Sequence, residues 1–224
     1  AIVISAGLAP TGTHSTQATP DELFFQQLYD NHFQDWADVI GLHAPGFSPP
    51  SLTFEEAERK GIAHWATFRH IEDMRRLMVQ NGDAAHQIAI LEVGWTTDTQ
   101  NPDYQWFAVT EEQQAQYLVE AYQYAAEHWR PWVGLMSVIY FARPDWTPDD
   151  EQYWWAITTP DVQIRPAFIG GRPIGTGEVV HRHQADPRPP LFGSILESLD
   201  QILGLLRFCH RKPLIIGVVL VGCP

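Results

Sequence analysis

The sequence predicts an α/β fold with a parallel sheet. Apolar, strand-like runs alternate with amphipathic helices four times, at a period of roughly 40 residues. Such alternation implies parallel strands joined by right-handed crossovers. Four units are half of an eight-unit (β/α)8 or TIM barrel, which needs on the order of 250 residues. We predict half of such a barrel over residues 1–168, followed by a linker and a tail of unassigned structure at 169–224.

The individual elements follow from hydrophobic spacing and turn signals. Strands are predicted over residues 2–8, 37–44, 88–93 and 133–141. Helices are predicted over residues 19–33, 53–60, 64–78, 114–128 and 153–157. In the tail, residues 194–208 have the apolar spacing of an amphipathic helix, and the apolar run at 214–221 is too short to span a bilayer.

Composition excludes several classes of function. The formal net charge of −13 argues against nucleic acid as a partner, because phosphate binding needs clustered Lys and Arg. Both cysteines lie near the C-terminus, and His181 and His183 have no carboxylate cluster around them, so we predict no disulfide framework, no metal site and no cofactor. The first residues lack the basic start of a signal peptide and begin within a predicted strand, as in a fragment. No membrane segment is expected in the body.

Glu92 and His43 are the candidate functional residues of the predicted strands. Glu92 ends an apolar strand just before the polar run 96–102, and His43 ends the preceding strand. A charge at such a position is costly unless it has a role, and barrel active sites lie at the C-terminal ends of strands. We interpret Glu92 as a catalytic carboxylate. The alternatives are a solvated strand-end Glu92 and a His43 that caps a loop.

The segment Ile90-Leu91-Glu92-Val93-Gly94-Trp95 resembles the strand-seven nucleophile motif of clan A glycoside hydrolases, which are (β/α)8 barrels. It is similar to the motif in family 39 β-xylosidases and in family 5 cellulase-like enzymes. Residues 38–46 resemble strand six of the clan, residues 139–146 resemble strand eight, and residues 1–12 would be strand five. The resemblance covers about residues 1–168 and implies only strands five to eight, an oligosaccharide or polysaccharide substrate and, by family habit, an extracellular location.

The resemblance also implies roles for individual residues. Glu92 would be the nucleophile of a retaining mechanism, with His43 as a hydrogen-bond donor to it or to a sugar hydroxyl. Trp95 would offer a stacking face to the sugar ring, and Tyr140 would offer it a hydroxyl. Trp146 would line the rim of the pocket. For Trp95 and Tyr140 the alternative is core packing, and Arg143 and Asp145 are expected to pair with each other rather than line the pocket.

One departure from the clan pattern affects the predicted activity. The clan's general acid/base is a Glu on strand four, usually within Asn-Glu-Pro, and this sequence contains no Asn-Glu-Pro. We expect that residue to lie upstream of Ala1, which leaves the chain with the nucleophile and without its partner. A non-catalytic carbohydrate-binding barrel, or an inactive fragment, is the alternative to a hydrolase.

Overall fold

The computed structural model describes residues 1–169, which form a parallel sheet covered by helices. The strands are β1 (Val39–Pro45), β2 (Gln87–Gly94) and β3 (Val133–Val138), in the spatial order β1-β2-β3. The helices are α1 (Asp21–Asp30), α2 (Phe54–Arg59), α3 (His70–Gln80), α4 (Glu111–His128), α5 (Glu151–Trp155) and α6 (Pro166–Ile169). Short 3-10 helices occupy Phe33–Trp36 and His64–Ala66.

The predicted first strand is only partly formed. Residues 2–8 run parallel to β1, but they join it through isolated bridges at Ile4 and Leu8 instead of a continuous ladder. The hydroxyl of Ser5 accepts the N–H of Gly41 at 2.8 Å, in the place where a backbone carbonyl would continue the ladder. The described residues thus contain a three-stranded sheet with one bridged segment at its edge, and they do not by themselves close into a barrel.

Most other elements agree with the prediction, with two local corrections. The predicted helix 64–78 is divided, because the chain makes a 3-10 turn at His64–Ala66 and starts α3 only at His70. Helix α1 ends at Asp30, and the chain then adopts a left-handed conformation at His32 before the 3-10 helix. Helices α2 and α4 begin with complete capping boxes, formed by Thr53 with Glu56 and by Thr110 with Gln113.

The core lies between the sheet and the helices. Alternate residues of β1 and β2 project into it, and α1, α3 and α4 supply aromatic and aliphatic side chains from the other side. Its fully buried large members include Phe25, Ile40, Leu42, Phe68, Met74, Ile88, Ile90, Trp95, Trp129 and Met136. This packing fixes the strands, and therefore the positions at which their C-terminal ends present side chains.

Two further predictions concern regions beyond the strands. No helix among residues 1–169 is long and apolar enough to cross a membrane. The linker and tail predicted at 169–224, including the amphipathic helix at 194–208, lie outside the described residues apart from the end of α6.

Candidate active site

The structure brings Glu92 and His43 into contact at the C-terminal ends of β2 and β1. The two residues are paired across the parallel ladder, and His43 Nδ1 lies 3.2 Å from Glu92 Oε2. The side chains are 21% and 36% exposed, so the contact is accessible to a ligand without being fully solvated. The two strand-end residues singled out in the sequence therefore form one polar centre.

A register shift in β2 creates this contact. Leu42 pairs with Ile90, but the next residue of β1, His43, pairs with Glu92, so Leu91 is an extra residue in the ladder. The core residues of β2 show the same shift. Ile88 and Ile90 are two residues apart, as in a regular strand, but Ile90 and Val93 are three residues apart and still project into the core. Without the extra residue, Glu92 would point into the helix-packed core. The bulge instead places it opposite His43.

The N-terminal segment holds the imidazole of His43 in place. Gly7 packs so closely on the ring that a Cβ there would overlap the imidazole, and the backbone N–H of His43 donates to Leu8 O at 2.9 Å. Burial lowers the pKa of His43 below its ordinary value, although the charge of Glu92 acts in the opposite direction. The ring is therefore neutral at pH 7. Because a carboxylate only accepts hydrogen bonds, we assign the Nδ1–H tautomer, which donates to Glu92.

Tyr140 reaches the same centre from the end of β3. Its phenol is half-buried, and burial, together with the charges of Glu92 and Glu151, raises the pKa of Tyr140 to about 12. The hydroxyl consequently stays protonated and can donate a hydrogen bond to a carboxylate or a sugar oxygen. Trp146 packs edge-on against Tyr140, with ring centroids 5.6 Å apart, and is itself half-buried. Trp146 is therefore in contact with Tyr140, and its place at the rim of a sugar-binding pocket stays a prediction.

The prediction that Trp95 contacts a sugar must be corrected. Its side chain is completely buried, packs between Phe68 and Tyr117, and donates its indole N–H to Ser48 O at 2.9 Å. Gly46 passes so close that a Cβ there would overlap the indole ring. Core packing is therefore the role of Trp95, because no face of the ring is open to a ligand.

Arg143 and Asp145 pair with each other, as the sequence analysis expected. Arg143 Nε and Nη2 donate to the two carboxylate oxygens of Asp145, each at 3.1 Å. Both side chains are largely exposed, so the pair shapes the loop after β3 and contributes little free energy.

One residue near the centre, Glu151, was not identified from the sequence. It is the first residue of α5, and its charge helps to raise the pKa of Tyr140. Burial and Glu151 together also raise the pKa of Tyr104 to about 12. Glu151 follows two other acids in the chain and resembles a helix-start acid. No local signal separates it from Glu111 or Glu112, which do occupy the first turn of α4.

A second cluster of polar side chains joins the starts of α1 and α3. Ligand atoms of Glu22, His70 and Asp73 lie within 4.8 Å of one another, a spacing that would suit a metal ion. However, His70 Nε2 lies 2.8 Å from Asp21 Oδ2, and Nδ1 lies 3.3 Å from Asp73 Oδ2. Burial alone would lower the pKa of His70, but these two carboxylates raise it to about 9. His70 is therefore an imidazolium with both ring nitrogens donating, which is the wrong form for a metal ligand.

The sequence matches no protein-family profile, and no curated protein sequence matches it significantly. Among solved structures, the chain is similar to a family 39 glycoside hydrolase from the gut symbiont Bacteroides cellulosilyticus WH2, at 15% identity and a TM-score of 0.43, over 64% of this chain and 28% of that one. It is also similar to the CBM22-1 and GH10 modules of the N-terminal endo-1,4-β-D-xylanase 10B of Clostridium thermocellum, complexed with xylohexaose. That likeness has 13% identity and a TM-score of 0.40, over 65% of this chain and 25% of that one.

Both similar structures are glycoside hydrolases, and the chain spans only 28% and 25% of their respective lengths.

Proposed function

We propose that this chain carries the nucleophile side of a retaining glycoside hydrolase site, with Glu92 as the nucleophile. The observation that carries the proposal is the contact between Glu92 and His43 at the ends of adjacent parallel strands, 3.2 Å apart. The backbone bulge at Leu91 turns the carboxylate out of the core, where a charge would otherwise be costly. Parallel-strand C-terminal ends are where barrel enzymes bind substrate.

Each neighbour of Glu92 has a role in this reaction. One Glu92 oxygen attacks the anomeric carbon and displaces the leaving oxygen, and water later cleaves the glycosyl ester. The neutral Nδ1–H of His43 donates a hydrogen bond that aims the carboxylate. The protonated hydroxyl of Tyr140 donates to Glu92 or to a sugar hydroxyl, and Trp146 limits the rim beside it.

The mechanism also needs a carboxylic acid that protonates the leaving group, about 5 Å from the nucleophile. In the clan that the sequence resembles, this acid/base is a Glu on strand four of the barrel. Within the sequence, Glu151 is a carboxylate whose charge acts on Tyr140. The Glu151→Gln variant separates these alternatives. If Glu151 is the acid/base, the variant should lose turnover of glycosides with poor leaving groups, and with azide and a dinitrophenyl glycoside it should release a glycosyl azide of retained configuration. If the acid/base is another residue, Glu151→Gln should give no such product.

The nucleophile can be tested without its partner. A 2-deoxy-2-fluoro glycoside with a 2,4-dinitrophenolate leaving group needs no acid catalysis, and it traps the glycosyl ester. We expect a gluco-, xylo-, manno- or galacto-configured reagent to label the protein, with the added mass on the peptide that contains Glu92. Labelling should disappear in Glu92→Gln and persist in Glu111→Gln, an exposed acid at the start of α4.

Turnover of the corresponding dinitrophenyl glycosides should fall at least about 1,000-fold in Glu92→Gln, with the melting temperature nearly unchanged. Labelling at another residue, or turnover retained by Glu92→Gln, would remove Glu92 from the reaction. A protein that binds sugars and is never labelled would instead be a non-catalytic carbohydrate-binding barrel.

A further inference from the structure

An aromatic cluster extends from the candidate active site towards solvent, and it ends in an exposed tryptophan. Trp106 lies in the loop between β2 and α4 and is 61% exposed. Phe47, two residues after the end of β1, stacks on it at 5.8 Å with the ring planes only 3° apart. Parallel rings at this centroid distance are offset, so Phe47 covers the indole only in part and Trp106 remains largely exposed.

This cluster is continuous with the side chains around Glu92. Phe107 contacts both Trp106 and Phe47, with ring centroids 4.6 Å and 4.9 Å apart. Phe107 also belongs to a packed group that includes Tyr140, the phenol on which the charge of Glu92 acts. The loop with Phe47 follows β1 and the loop with Trp106 follows β2, and these two strands are parallel neighbours. Trp106 is therefore on the same end of the sheet as Glu92 and His43.

The loop that carries Trp106 is held by internal hydrogen bonds. Asp98 is buried and accepts the backbone N–H groups of Gln100 and Asn101, and Val109 N donates to Thr96 O. Thr97 is tied through its backbone N–H and its hydroxyl to Trp154 O. The exposed indole is thus presented in a defined orientation, so binding a ligand there costs little conformational entropy.

We propose that the exposed indole of Trp106 is a stacking platform for a sugar ring of an oligosaccharide whose reacting bond lies at Glu92. This inference rests on the proposed function, and it adds that the substrate extends over more than one sugar unit. A pyranose ring presents a flat, apolar set of C–H groups that matches an aromatic face. The surrounding hydroxyls stay in water, which suits an exposed platform better than a buried pocket.

The test measures oligosaccharide binding by calorimetry in the inactive Glu92→Gln background. The probes are cellopentaose, xylopentaose and mannopentaose. With the probe that binds, we expect Trp106→Ala to weaken binding at least about tenfold and Trp106→Phe to weaken it less, because Phe keeps an aromatic face. The matched control is Trp36→Ala. Trp36 is 81% exposed and lies just before β1, at the opposite end of the sheet, so its loss should not change binding.

The outcomes separate this inference from the proposed function. Labelling by the single-sugar fluoro reagent tests Glu92, whereas pentasaccharide binding in Trp106→Ala tests the platform, so the two results are obtained independently. Unchanged pentasaccharide binding in Trp106→Ala, or no binding of any pentasaccharide, would overturn the platform even where Glu92 is labelled. A tenfold loss in a protein that is never labelled would support the platform and reject the hydrolase.

Discussion

Leu91 determines the position of Glu92 more than any contact of the carboxylate itself. As the extra residue of the β2 ladder, it changes the side of the sheet on which all later residues of the strand project. Glu92 therefore leaves the core side, while Val93 and Trp95 return to it. A single residue thus allows a strand whose other side chains are mostly buried to present one carboxylate at its end.

His43 is expected to position Glu92 without taking part in bond making. We predict that His43→Ala lowers turnover of dinitrophenyl glycosides about 10–100-fold, less than Glu92→Gln, because the carboxylate loses the donor that aims it. His43→Asn should recover part of the rate, since its amide can also donate. Steady-state kinetics of the three variants are the measurement. A loss in His43→Ala equal to or larger than that in Glu92→Gln would place His43 at the centre of the chemistry.

Helix α4 is tied to the site by one buried amide. The Nε2 of Gln114, which is fully buried, lies 2.7 Å from Trp95 O and 3.3 Å from Trp155 O. It therefore joins the end of β2 to the end of α5, the helix that begins with Glu151. A glutamine on the buried face of an otherwise amphipathic helix is explained only by these partners.

We predict that Gln114→Leu lowers the free energy of unfolding by about 1–3 kcal/mol, because two buried carbonyl groups lose their donor. The control is Gln123→Leu, an exposed position on the same helix, which should change stability by less than about 0.5 kcal/mol. Urea unfolding of the three proteins measures both effects. Equal stability of Gln114→Leu and the parent protein would mean that water replaces the amide at these carbonyls.

At the scale of the whole molecule, ionic hydrogen bonds around His70 link the start of α3 to the start of α1. His70 starts α3, and Asp21 is the first residue of α1. The carboxylates raise the pKa of His70 from 6.5 to about 9 against the effect of burial. A histidine whose pKa is higher in the folded state than in the unfolded state stabilises the folded protein. The stabilisation is complete at pH values below the unfolded-state pKa, and it is lost as the pH rises through the folded-state pKa.

The protein should therefore lose stability between about pH 6.5 and pH 9, by up to roughly 3 kcal/mol from this residue. In His70→Asn that part of the pH dependence should vanish, whereas His128→Asn, an exposed histidine at the end of α4, should retain it. Urea unfolding at pH 6, 7.5 and 9.5 provides the comparison. Identical pH profiles for the parent and His70→Asn would show that the cluster does not hold a proton into the alkaline range.

The amino-acid sequence alone determined the order and the approximate bounds of the elements. Hydrophobic period, caps and turn residues located β1, β2, α2 and α4 to within a few residues, because these signals are local. The same patterns placed His43 and Glu92 at strand ends and paired Arg143 with Asp145. They did not show that Ser5 interrupts the first ladder, or that Trp95 is completely buried.

Tertiary structure decided which of these polar residues meet and which aromatic residues remain exposed. Strand pairing with a bulge at Leu91 sets Glu92 opposite His43, and packing of the loop after β2 leaves Trp106 open on Phe47. Glu151 joins the site through α5, far along the chain from Glu92. Register and loop packing depend on contacts between distant residues, so local propensity does not encode them. The local pattern therefore identifies Glu92 as a charge at the end of an apolar strand, whereas the residues around it can be identified only in the folded structure.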